Sequence, residues 1–151
     1  MGTDKGAIIM PKLSVWMIRA ALIHMGIGFL FGSLILHHKG IPIYPWTWRL
    51  LNPHIEIMIF GWTIQLVMGV AFFILPRFSE RENRYGAEYL GWWSFYLINS
   101  GVALTALADW YNNTWFAVGG RLFILCAICA FAIMIFPRVK PLGGFAAKQN
   151  S

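Results

Sequence analysis

Read from the amino terminus, the chain alternates long apolar runs with short polar breaks. Four runs reach the roughly 20 mostly apolar residues that a helix needs to cross a ~30 Å hydrocarbon core at 1.5 Å per residue. They cover about 13–36, 54–76, 89–108 and 115–136. Uninterrupted segments such as LFILCAICAFAIMIF, residues 122–136, contradict the alternation of a lipid-facing barrel strand. The pattern predicts an all-α membrane protein, one four-helix bundle domain over residues 1–151. Lys5 and Lys12 precede the first run as in a signal peptide, but HHKG follows it rather than a small-residue cleavage site, so it reads as a retained helix.

Composition sharpens this picture. Charged residues make up 12% of the chain and apolar ones 58%; a soluble domain carries about a quarter charged residues, so lipid is the solvent implied. The charges that remain are placed asymmetrically. Lys5, Lys12, Arg77, Arg81, Arg84, Arg138, Lys140 and Lys148 fall on one predicted side, and only Lys39 and Arg49 on the other. The positive-inside rule then puts both termini and the 2–3 loop in the cytoplasm, and the 37–53 and 109–114 loops outside. In a bacterial setting this is a multi-pass protein of the inner, cytoplasmic membrane. The +6 net charge is accounted for by topology and by attraction to anionic lipid; nothing in it calls for nucleic acid.

Candidate chemistry is sparse. Cys126 and Cys129 form a C-x-x-C in mid-helix 4 with no His after it, which excludes the c-type haem attachment signature. Thiolates are disfavoured in hydrocarbon, so the two read as small packing residues. Asn112-Asn113-Thr114 matches a glycosylation acceptor but sits in a short loop tight against the membrane. In helix 1, GFLFG from Gly28 to Gly32 has the spacing that lets helix backbones approach. His24, one turn earlier, stands near the bilayer midplane, where an ionisable group faces the bundle interior and bonds to a neighbouring helix or contacts a cofactor or quinone.

Helix 2 reads NPHIEIMIFGWTIQLVMGVAFFILPRF. His54, Met58, Gly61, Gln65 and Gly69 recur every three to four residues, so one small or polar stripe should face the bundle. Glu56 lies about 200° around the helix from His54. One of the two is therefore expected at the interface, and Glu56, in the predicted first turn, reads as an N-terminal cap. Helices 2 and 4 both end in apolar-Pro-Arg, ILPR and IFPR, a hint of two duplicated hairpins. Arg121, seven residues into helix 4, needs an anionic partner at that depth: Asp109, or haem propionates that a guanidinium matches bidentately.

An outer-end His, FGW at Phe60 to Trp62 and a glycine-containing helix ending in LPRF at Leu75 to Phe78 resemble subunit I of the haem–copper oxidases, and particularly short four-helix relatives of its cbb3-like branch. The resemblance covers helices 1 and 2 and weakly the rest. It implies a subunit of a respiratory or photosynthetic electron-transfer complex, with His54 as ligand to a b-type haem iron near the outer side and Arg121 or Arg49 beside the propionates. Those relatives read H-x-H before the GW; here Glu56 stands at the second position, so only His54 carries over. His24 lies ~18 Å below the outer helix end by rise alone, too deep to share one haem with His54. A second ligand would come from His37 or His38, at the outer level, or from another chain. The other class of function is a haem-free accessory subunit packed on a larger membrane complex through its 25 aromatic residues. Stand-alone catalysis has no nucleophile–base set or three-ligand open metal site behind it.

Overall fold

The computed structural model describes residues 10–42, 44–76 and 85–139. All secondary structure among them is helical. Four long helices form two hairpins: α1 (Lys12–Gly40) with α2 (Pro45–Ile74), and α3 (Glu88–Tyr111) with α4 (Thr114–Ile135), the last followed by a 3₁₀ turn, Phe136–Arg138. Three of them, α1, α2 and α4, are long and apolar enough to cross a membrane; α3 is long enough, but its mean hydropathy is lower.

The helices outrun the apolar runs. α1 continues through His37, His38 and Lys39 in its last turn, where cations complement the helix dipole; the two histidines thus belong to a helix, not to a loop. α2 begins nine residues before its expected start at His54. Pro45 occupies the first position of a 3₁₀ turn, Pro45–Leu50, and Pro53 lies in the first turn of the α-segment Leu51–Glu56 that follows. Proline needs no N–H partner in a first turn, so Asn52-Pro53 marks a change of winding rather than a helix start.

From Ile57 to Ile64 the same helix winds as a π-helix before reverting to α at Gln65–Ile74. The Gln65 N–H reaches back to the Phe60 carbonyl, past that of Gly61, and Thr63 Oγ1 donates to the Met58 carbonyl five residues back. The Asn pair forms the second hairpin's turn. Asn112 takes the left-handed C-cap conformation of α3, φ 50°, and Asn113 accepts from the Trp115 N–H as N-cap of α4.

Each hairpin is tied by a serine: Ser14 Oγ donates to the Gly69 carbonyl at 2.6 Å and Ser94 Oγ to the Ala127 carbonyl at 2.8 Å. The main core joins the hairpins toward the Lys12 end through Leu13, Met17, Phe72, Ile98, Phe131 and Met134; a smaller cluster of Ile57, Val102 and Ile124 lies toward the α1–α2 turn. Arg138 closes the end of the bundle where α1 begins and α2 ends. It is fully buried, donates to the carbonyls of Phe72, Leu75 and Pro76, and lies over the Phe72 ring at 4.9 Å, supplying the partners that the last carbonyls of α2 lack. Of the basic residues that set the predicted orientation, Lys5, Arg77, Arg81, Arg84, Lys140 and Lys148 lie outside the described residues.

Candidate functional site

The seam between α1 and α2 is built by reciprocal exchange of side chains and glycines. A Cβ on Gly32 would stand 2.9 Å from His54 Cε1, one on Gly28 would collide with Met58 Sδ, one on Gly61 would stand 2.7 Å from His24 Cγ, and one on Gly69 would be 3.0 Å from Met17 Cβ. The predicted stripe does face the bundle: Gly61, Gln65 and Gly69 are buried and His54 is half-buried.

His54 Nδ1 lies 2.8 Å from the Gly28 carbonyl. A carbonyl can only accept, so Nδ1 carries the proton. In the neutral ring that leaves the Nε2 lone pair unprotonated, and Nε2 bonds to none of the described residues. This second interaction of a ring nitrogen is what selects the tautomer of a metal-ligating imidazole.

The other histidines do not converge on it. His54 faces Gly28 and Gly32 on α1, so it lies about six residues, roughly 9 Å by rise, from His24. The ~18 Å separation expected from the sequence rested on a helix start at His54 and is corrected by the earlier start of α2. His24 is nevertheless turned onto Gly61, not toward His54. His38 is buried, accepting from the Tyr44 N–H at 3.2 Å and set edge-on against Trp48, where it holds the α1–α2 turn. His37 is exposed and a turn of helix beyond the seam. No group of three or more His, Cys, Asp or Glu is gathered as a metal site among the described residues.

On the opposite side of α2, Glu56 faces α4. It is buried, and Arg121 Nε and Nη2 both donate to its Oε1 at 3.3 Å. The cap reading of Glu56 is thereby overturned: with α2 starting at Pro45, this carboxylate sits several turns inside the helix and its partner is a guanidinium. His54, on the other side of the helix, is half-buried. The ~200° between them sends one to α1 and the other to α4, and both are used. Arg121 does not pair with Asp109, which accepts from Asn52 Nδ2 at 3.3 Å. Its side chain remains 70% exposed on the outer face of the bundle. Arg49 is exposed near the α1–α2 turn. Cys126 and Cys129 are exposed, so they pack outward and not within the bundle.

Three features lie outside what the sequence patterns above reveal. The π-helical winding has no sequence signature, the Glu56–Arg121 pair spans 65 residues, and Gly101 meets Gly120 backbone to backbone, a Cβ on either standing 2.7 Å from the other's carbonyl oxygen. Gly101 has Thr105 as its small partner at four-residue spacing in its own helix, and a Cβ on Gly120 would meet that threonine too, at 2.7 Å from its Cγ2, so a small-residue pattern broader than GxxxG could have found this contact. No protein-family model matches the chain, and neither does any curated protein or solved structure.

Proposed function

We propose that the chain is a four-span subunit of a respiratory or photosynthetic electron-transfer complex in the inner membrane, and that it holds a b-type haem through His54. The observation that carries the reading is the Nδ1–H of His54 on the Gly28 carbonyl at 2.8 Å, which fixes the ring and presents Nε2 as a ligand. The residues present offer one ligand, His54. His24, His37 and His38 are turned away from it, so a second ligand would come from a partner chain. Arg49, which bonds to none of the described residues, is the cation left for the propionates, since Arg121 is committed to Glu56. A bound haem would supply one-electron transfer, with its potential set by burial and by hydrogen bonds around the ligand.

Four spans are supported by how α3 treats its polar residues. Ser94 bonds to the Ala127 carbonyl, Asn99 to Phe95, Ser100 to Tyr96, and Thr105 to Gly101 and Val102, so its hydroxyls and amide are satisfied without water. α3 is also packed along α4, which is itself apolar enough to cross. The eight-to-two distribution of basic residues then places both termini in the cytoplasm. In a Cys126→Ser/Cys129→Ser background, Pro45→Cys should label only from outside and Glu82→Cys only from inside; labelling of both from one side would refute the topology.

The second reading, a haem-free accessory subunit, is favoured by the way both membrane histidines fill glycine notches. A reduced-minus-oxidised absorption spectrum of the purified complex decides. We expect an α-band that His54→Ala abolishes and His24→Ala leaves intact. Loss of the band in His24→Ala alone would overturn the ligand assignment, and no band in the unmodified protein would favour the accessory subunit.

A further inference from the structure

The middle of the α1–α2 seam holds polar groups that the protein leaves unmatched. Gln65 is fully buried, and neither its Oε1 nor its Nε2 has a hydrogen-bond partner. His24 Nδ1 is likewise buried and unpartnered. The two side chains adjoin: the Gln65 side chain and the backbone of Gly61 and Ala20 approach the His24 ring closely enough to interact with it, but none closes a hydrogen bond of normal geometry on Nδ1 or on the Gln65 amide. Gly61 is the residue whose carbonyl the π-to-α change in winding bypasses, because the Gln65 N–H bonds to Phe60 instead. Removing the Cβ at position 61 is also what lets the imidazole come this close. An amide and an imidazole nitrogen left bare in an apolar interior carry the full cost of their desolvation, and Met17 and Met58 on the same seam offer no strong donor or acceptor.

We propose that an ordered water molecule is bound here, bridging His24 Nδ1 and the Gln65 amide, and that it is the polar link between α1 and α2 midway across the membrane. Water is the ligand the chemistry selects. A buried water needs two to four polar partners, the site offers both donor and acceptor functions from Gln65 and either function from the imidazole, and its walls carry no charge to hold an ion. The wide winding of Ile57–Ile64 is what admits it, since a π turn displaces backbone outward from the α-helical path. The proposal concerns the apoprotein seam and does not depend on haem at His54.

The test is water-to-protein magnetisation transfer in solid-state NMR of the full chain, uniformly ¹⁵N-labelled and reconstituted in phospholipid bilayers. The His24 ring and the Gln65 side-chain amide should build up signal several-fold faster than the backbone amide of Ile98, which lies fully buried in the apolar core. Gln65→Leu should remove the rapid transfer at His24 while leaving that at exposed His37. If the unmodified protein shows His24 and Gln65 as slow as Ile98, the two side chains bond directly and the proposal is wrong. Unchanged rapid transfer at His24 in Gln65→Leu would equally overturn it. The first measurement stands even if the variant fails to fold.

Discussion

Arg121→Leu should destabilise the protein by about 3 kcal/mol, while Glu56→Leu/Arg121→Leu should recover most of the loss. Breaking a buried pair strands the remaining charge, at roughly 3–5 kcal/mol, and the outward exposure of the Arg121 side chain, 70%, places this case at the low end. The two single variants should differ. Glu56 is short and its side chain 12% exposed; left alone, it cannot reach water. Arg121 left alone in Glu56→Leu can extend along α4 toward the interface with its long apolar stem, so that variant should lose less. Replacing both by leucine removes the two desolvated charges together, which is often neutral or stabilising. Unfolding of the purified protein in mixed micelles against SDS fraction measures all four proteins. If the losses of the single variants simply add in the double, the two residues do not act as a pair.

The same pair shows why part of the molecule was legible and part was not. Composition and run length specify helices and lipid because both depend on local sequence alone, and the His54–Gly61–Gln65–Gly69 stripe follows from the 3.6-residue period. The helix boundaries do not follow so easily. Asn52-Pro53 is a strong local stop signal, but a proline in a first α-turn is compatible with a preceding 3₁₀ turn, and Trp46, Thr47 and Trp48 are drawn into the helix. Moving that start by nine residues changed the depth of every group on α2. It turned Glu56 from a cap into a buried mid-helix carboxylate and moved His54 toward His24. The long-range partners Glu56–Arg121, Asn52–Asp109 and Arg138 with the end of α2 were out of reach because no periodicity relates one helix to another. The two ends in apolar-Pro-Arg pointed to a duplication and not to a contact, so the role of Arg138 at the end of α2 was not foreseen from them.

The glycines divide in the same way, and the division sets the second large effect. Gly28 and Gly32, in the GFLFG segment, make room for the ends of side chains, Met58 and His54, and a methionine in particular can move aside. Gly101 and Gly120 make room for backbone. A Cβ on Gly120 would lie 2.7 Å from the Gly101 carbonyl oxygen and 2.9 Å from the Thr105 nitrogen; one on Gly101 would lie 2.7 Å from the Gly120 carbonyl oxygen and 3.1 Å from the Ile124 nitrogen. Neither helix can give way locally, so α3 and α4 must separate along the length that carries Ser94 on Ala127. Gly120→Ala should therefore cost about 3 kcal/mol, the upper end for an overpacked core, and Gly101→Ala a similar amount. Gly119→Ala, one residue away with nothing within 4 Å of its Cβ, should be neutral or gain up to about 1 kcal/mol through helix propensity. Gly28→Ala should fall between them, at about 1 kcal/mol, as the flexible Met58 shifts. SDS-titration midpoints for the four alanine variants test this order. If Gly119→Ala and Gly120→Ala lost stability equally, the close backbone contact of α3 with α4 would be refuted.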